Sequence, residues 1–346
     1  MRPDKVVTTE AAVPSTLQAA RARAPAFSGK DKLQMDILFT GATGVIGRRT
    51  VPDLIEAGHQ VTAVARATED HTWLKGVGAR PIAVDLFDRS AVLSAVAGSD
   101  AVVHMATAIP PQDQMPKRAA WATNDRLRTV ATSNLVDAAM EHDVAAFVQQ
   151  SITFVYADGD DRWLDEDSPV APFWDVLDSA LEAERHVARF ADRGGRGVVL
   201  RLSSLYGPGG ASEAYVASVA DRKLPIIGSG ENYVSHLHIN DAATAIVAAL
   251  TAPSGVYNVS DDTPVTRRDE LDALASILGA RPPRRLPRWM ARAAIGSAAE
   301  LLAVSQRVSN RRFKATTGWA PEFGSVVDGW YDAVADVTPS ERQLRD

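Results

Sequence analysis

The stretch ILFTGATGVIGRRT, residues 37–50, decides how the chain folds. Its apolar opening reads as a buried strand, its three glycines as a tight turn, and its end as the start of a helix that runs to Ala57. Gly41 permits the turn, Gly44 lets backbone come close to a pyrophosphate, and Gly47 lets helix and strand pack against each other. The helix N-terminus then presents its free N–H groups to the phosphate charge. A lone glycine pattern carries little information, but strand, loop and helix arrive here in the required order. Together they make a dinucleotide grip lined by Thr40, Gly41, Thr43, Gly44, Val45, Ile46, Gly47 and Arg48.

Past the grip, short β-rich runs alternate with helical stretches. MDILFT, QVTAVA, PIAVDL, AVVHMA, AAFVQQS and GVVLRLS are apolar nearly throughout, as strands covered on both faces are. This order predicts an α/β fold, a doubly wound parallel sheet with helices on both faces. After Arg201 the regularity breaks at YGPGG and GSGEN, which predicts a smaller C-terminal substrate lobe. The expected organisation is an N-terminal extension over 1–34, either a flexible tail or a docking arm, a dinucleotide-binding core over 35–200, and a mainly substrate-binding lobe over 201–346 that interleaves with the core. Met35 opens the first strand directly and could itself be a start. The amphipathic segment Leu286 to Ser305 reads as a packed helix rather than an interfacial one, because its polar face is poor in Lys.

With 346 residues, 46% of them hydrophobic, the chain can bury a large core. A net charge of -6 gives no pull toward nucleic acid or an anionic membrane. The absence of cysteine excludes disulfides, thiolate nucleophiles and Cys-based metal sites and fits a reducing compartment, so the expected location is cytoplasmic. No run approaches the roughly 20 apolar residues that span a bilayer. The expected partner is a small-molecule substrate, with neither nucleic acid nor membrane.

The second strand carries the cofactor choice. NAD sites present an acid there that accepts from the ribose 2′-hydroxyl, whereas VTAVAR ends in Arg66. A guanidinium suits a 2′-phosphate, and Arg48 can add a second contact, so NADP(H) is expected in preference to NAD(H). Asp85 and Leu86 end the third strand on the adenine side, and Met105, Ala106 and Thr107 follow the fourth strand along the cofactor.

These features resemble the extended short-chain dehydrogenase/reductase family, which includes nucleotide-sugar epimerases and dehydratases, from Met35 to about Asp332. TGATGVIG is similar to that family's TGxxGxxG, VDLFD to its adenine-side acid, VVHMAT to its fourth strand, and RLSSLYGPGG to its R-x-x-x-x-YGPG. GSGENYVSHLHINDAA, GVYNVSDDTPVTRRDEL and RRFKATTGWAPEF resemble its later segments. The resemblance implies a Rossmann-type sheet, a nicotinamide cofactor and a homodimer paired through two helices. It also implies a catalytic Ser or Thr followed by Tyr-x-x-x-Lys, and here the chain departs. Aligned on LEAE within DVLDSALEAER, the Tyr position is Val176 and the Lys position is Ala180. Ile152 stands in the Ser position with Ser151 and Thr153 on either side, and the helix from about Phe173 to Phe190 contains no Lys. A positioned acid or base contributes roughly 10² to 10⁴ in rate, so ordinary alcohol oxidation is disfavoured.

Substitutes must come from elsewhere. Ser151, Thr153, Tyr156 and His236 are the candidate catalytic groups. Ser151 and Thr153 can equally close the strand end, and Tyr156 can be structural. His236 and His238, two apart, share one face of a strand, but no third ligand accompanies them and no metal is expected; Asn240 and Asp241 read as the next helix's cap. His104 reads as a core histidine. Arg128 and Arg201 can bind a carboxylate, phosphate or carbonyl, or serve as ion-pair partners. The resemblance places Tyr206 in the substrate crevice, while Trp163 and Trp174 either line an apolar pocket beside it, which points to a hydrophobic or aromatic substrate, or simply pack. The run YADGDDRWLDED reads as a solvated loop. Three functions follow: an NADP(H)-dependent reductase with a non-standard proton donor, a redox-neutral isomerase, dehydratase or cyclase, and a non-catalytic dinucleotide sensor.

Overall fold

The computed structural model describes residues 34–334 apart from 67, 112, 173, 210, 297, 298, 300 and 301. The expected N-terminal extension falls almost wholly outside the described residues. Seven parallel strands form the central sheet: β1 (Asp36–Thr40), β2 (Gln60–Val64), β3 (Arg80–Ile82), β4 (Ala101–His104), β5 (Ala146–Ile152), β6 (Arg196–Leu202) and β7 (Gly255–Val259), in the order β7-β6-β5-β4-β1-β2-β3. The topological switch lies between β1 and β4, and it sets the ligand crevice at the C-terminal strand ends.

The helices are α1 (Gly47–Glu56), α2 (Thr68–Gly76), α3 (Arg89–Val96), α4 (Ala122–Arg126), α5 (Thr132–Glu141), α6 (Asp178–Asp192), α7 (Ala211–Ala220), α8 (Ile239–Ala249), α9 (Arg267–Ile277), α10 (Arg288–Ile295), α11 (Arg311–Thr317) and α12 (Val326–Ala333). Alternating strand residues divide the core in two. Ile37, Phe39 and Val103 pack with Val51 and Leu54 of α1 and Ile246 of α8. Leu38, Val102 and Phe147 pack on the other face with Val92 of α3, Leu135 of α5 and Phe190 of α6. Both faces are apolar because both are covered, which is why the strands read as continuous hydrophobic runs.

Several boundaries differ from expectation. Of the run PIAVDL only Pro81 and Ile82 join β3, at the sheet edge, after which the Asp85 carboxylate accepts from the Phe87 N–H at 2.9 Å. The helix expected from Phe173 begins at Asp178, after a 3₁₀ turn over Asp175–Leu177 whose Val176 and Leu177 are anchored among apolar side chains. The segment Leu286 to Ser305 carries the short α10, closed at Gly296 with φ 60°. His238, rather than Asn240 or Asp241, caps α8 by accepting from the Asn240 N–H at 3.3 Å. Asp241 instead accepts from the Glu322 and Phe323 N–H groups at 2.7 and 3.1 Å, tying the C-terminal segment to α8.

Beyond β6 a second apolar cluster gathers α7, α9 and α12 around Tyr206 and Trp330. Short strand pairs stitch it together, including Ser204–Tyr206 with His236–His238. A Cβ at Gly329 would overlap the Tyr206 hydroxyl, so α12 can dock only through a glycine. Gly329→Ala is therefore expected to destabilise the protein by about 1–2 kcal/mol, although alanine is favoured over glycine within helices by about 1 kcal/mol. Adding Tyr206→Phe should recover part of the loss, measured by denaturant unfolding; a simple sum of the two single effects would show that the overlap is absent.

Candidate functional site

The passage from β1 into α1 is built by exclusion. Gly41 has φ 80°, and a Cβ there would stand 2.6 Å from the Ala106 backbone nitrogen. A Cβ at Gly47 would overlap the Gly41 and Ala42 carbonyls. Gly44 differs: it is exposed, and a Cβ would meet only the Gly41 oxygen at 3.3 Å, so its other side is open. Thr43 and Ile46 are half-buried and Val45 is exposed. No side chain caps α1, and its first turn holds no acid. A narrow loop with a bare helix N-terminus and an open glycine fits an anionic dinucleotide. Beneath it, buried Thr40 hydrogen-bonds His104, whose other ring nitrogen meets the Leu127 carbonyl at 3.3 Å.

On the adenine side Arg66 is exposed at the end of β2. Arg48 donates to Asp70 at 2.8 Å and lies 4.7 Å from the Trp73 ring centroid, so a sequence reading without Asp70 misses half of its setting. Leu86 is buried and its carbonyl accepts from Asn134 at 3.0 Å. Met105 is buried, Ala106 half-buried and Thr107 exposed along the mouth of the crevice.

At the other end of the crevice, Val176 is 0% and Ala180 1% exposed. Val176 belongs to an apolar cluster with Trp121, Trp174 and Leu177, against which the half-buried Met115, Ile152 and Phe154 pack. Trp121 and Trp174 meet edge to face at 5.2 Å. Ser151 donates to Glu184 at 2.6 Å, and Glu184 holds Arg201 with both oxygens, at 2.9 and 2.6 Å. Burial alone would lower the Arg201 guanidinium, but hydrogen bonding to Glu184 outweighs it and holds the charge in place. Tyr156 is fully buried, donates to Asn258 at 2.7 Å and has its phenol pushed up by burial. Thr153 is buried beside it in a 3₁₀ turn. Glu184 entered the sequence reading only as part of an alignment register; its spacing of four from Ala180 placed it on the same helix face. Arg128, 2% exposed, lies in a π-turn over Leu127–Ala131.

The remaining candidates lie in the lobe. His236 is buried 3.1 Å from Glu270, which pairs with Arg267 at 2.7 Å and accepts from Tyr215 at 2.7 Å. Burial would raise the Glu270 carboxyl, but Arg267 and His236 together hold it down at about 2. Tyr206 is enclosed by His236, His238 and Trp330, and burial raises its phenol strongly. The structure therefore brings Ser151 and Arg201 together through Glu184, and Tyr206 and His236 together elsewhere. Trp163 lies under Arg307, at 4.3 Å, apart from the Trp174 cluster. A cavity of about 290 Å³ in the lobe is lined by Asp158, Asp161, Gly228, Glu231 and Arg288. Among the described residues no group of three or more His, Cys, Asp or Glu could hold a metal, and no helix is long and apolar enough to cross a membrane.

A family model described as NAD dependent epimerase/dehydratase family matches residues 37–260. A 3-diazoavenalumate denitrifying reductase of a Streptomyces species is 37% identical over 309 residues, covering 85% of this chain and 99% of that protein. A 2-alkyl-3-oxoalkanoate reductase of Stenotrophomonas maltophilia is 29% identical, covering 71% and 76%. Among solved structures, UDP-glucose 4-epimerase of Thermotoga maritima superposes with a TM-score of 0.72 at 19% identity over 90% of this chain and 100% of that one. A human epimerase family protein solved with NADPH gives 0.69 at 24% identity, over 87% and 100%.

Two outcomes follow from this geometry. Gly44→Ala should change unfolding stability by less than about 1 kcal/mol yet weaken dinucleotide binding roughly tenfold or more, because it blocks only the open side. Equal affinities by fluorescence titration would place the phosphates elsewhere. Burial lowers the His104 imidazole to about 4, so it stays neutral in the fold while the unfolded chain takes up a proton below about pH 6.5. Stability should thus fall by up to about 3 kcal/mol as pH drops from the unfolded value through the folded one. That slope should shrink in His104→Gln, compared with wild type by denaturation across the same range.

Proposed function

Because this chain belongs to the NAD-dependent epimerase/dehydratase family, we propose that it is an NADP(H)-dependent reductase that delivers hydride to an activated electrophile without a protein proton donor. The observation that carries this reading is the pairing of a complete dinucleotide cradle with buried, apolar Val176 and Ala180 where the family's proton relay would stand. Ser151 and Tyr156 do not replace the relay, since Glu184 and Asn258 already take their hydrogens.

The 37% identical relative is named for a diazo substrate and for nitrogen loss, and a diazo group is an electrophile of the required kind. Bound NADPH would supply a hydride to the terminal nitrogen of an arenediazonium ion, giving NADP⁺ and an aryldiazene, which releases N₂ as its hydrogen passes through solvent to the ring carbon. No carbonyl oxygen has to be protonated. The chain's own part is orientation: the glycine loop would fix the pyrophosphate, and the half-buried Ile152 and Phe154, backed by the buried Trp121 and Trp174, would give an aromatic ring an apolar surface. Exposed Arg66 just past β2, with Arg48 held at Asp70, supports the choice of NADPH, since a guanidinium there suits a 2′-phosphate.

Arg66→Asp should weaken NADPH binding at least about tenfold and leave NADH nearly unchanged, read from nicotinamide fluorescence. Mixing the wild-type protein, NADPH and 4-carboxybenzenediazonium should speed loss of nicotinamide absorbance and release N₂ in equal amount. Loss no faster than in the protein-free mixture would sink the diazo reading, and failure to bind either nucleotide would sink the reductase altogether.

A further inference from the structure

The chain between α4 and α5 does not continue as regular α-helix. Residues Leu127–Ala131 form a π-turn, the wider helical turn that recurs at functional sites, and Arg128 within it is almost completely buried. A buried guanidinium needs an anion. Among the described residues no carboxylate lies within ion-pair distance of Arg128, and its Nε has no hydrogen-bond partner. The acids that act on it electrostatically are Asp125 and Glu184. Asp125 is held by Arg118 at 2.6 Å, and Glu184 is occupied on both oxygens by Arg201 and on one by Ser151. Arg128 is therefore buried without a direct ion pair, between Asp125, which keeps one oxygen unpartnered, and Glu184, which Arg201 engages on both oxygens. Burial lowers the Arg128 guanidinium only to about 10, so it remains charged at neutral pH.

Glu184 also fixes where Arg128 lies. It is four residues after Ala180 on the inner face of α6, and both are buried. The π-turn packs against α6, and Arg128 interacts with Glu184 one turn from Ala180, the position where the family resemblance places its Lys. We propose that Arg128 is the anchor for an anionic group on the substrate, a carboxylate of an aromatic acid, gripped by the planar guanidinium while the ring lies against the apolar wall. This rests on the crevice being the substrate site of the reductase proposed above. The guanidinium fork matches two carboxylate oxygens, which a neutral ribose hydroxyl pair would leave uncompensated.

The test is binding rather than turnover, so that it can fail separately from hydride transfer. The full-length protein loaded with NADP⁺ is titrated with 4-hydroxycinnamate and with its methyl ester, following tryptophan fluorescence. The acid should bind at least about tenfold more tightly than the ester; Arg128→Lys should keep part of this preference, and Arg128→Gln should abolish it with NADP⁺ affinity unchanged. Equal affinities for acid and ester in the wild-type protein overturn the proposal without any variant. So does a preference that survives in Arg128→Gln, or a parallel loss of NADP⁺ affinity in Arg128→Lys, which would put the guanidinium on the cofactor. If NADP⁺ does not bind the wild-type protein, the reductase reading fails, and the acid–ester comparison on the nucleotide-free protein still decides the anchor.

Discussion

The contact of Gly47 with the Gly41 and Ala42 carbonyls sets the frame in which every other group is placed. It lets α1 start directly against β1, which leaves the helix N-terminus uncapped at the topological switch of the sheet. The same approach holds β1 beside β4 through the Thr40–His104 bond, and His104 reaches the Leu127 carbonyl at the start of the π-turn. A line of direct contacts thus runs from the dinucleotide loop to the segment that carries Arg128. The glycine loop and the π-turn are parts of one core.

At the far end of the crevice, Val176 and Ala180, the positions where the family resemblance places Tyr and Lys, are interior packing. Val176 fills space among Trp121, Trp174 and Leu177, and Ser151 is bound to the buried Glu184–Arg201 pair. Breaking such a pair by removing one partner costs about 3–5 kcal/mol, because the other charge is stranded. Ser151 is therefore committed to holding β5, β6 and α6 together. In the proposed reductase the site works by position and charge rather than acid–base chemistry, and orientation alone is a large contribution when the acceptor is already activated.

The sheet, its order of strands and helices and the glycine loop were legible because local pattern and global fold agree there: buried parallel strands must be apolar on both faces, and only glycine fits the turn. The loss of Tyr and Lys was equally legible from DVLDSALEAER. The partners of the polar candidates were not. Tyr156 and Asn258 are 102 residues apart, and His236 and Glu270 are 34 apart, separations at which no periodicity carries information. The family resemblance places Tyr206 in the substrate crevice, yet Gly329, far along the chain, opens the space that buries it. The π-turn at Arg128 leaves no mark in composition, since one extra residue per turn is a backbone event.

The most direct test of hydride transfer without a protein acid is the rate of NADPH oxidation by an arenediazonium carboxylate from about pH 6 to about pH 9, run with NADPH and with NADPH deuterated at C4. The account predicts a primary isotope effect and a kcat that follows no protein ionisation across this range. A kcat that falls with the loss of a single proton, with no isotope effect from the nicotinamide, would contradict it.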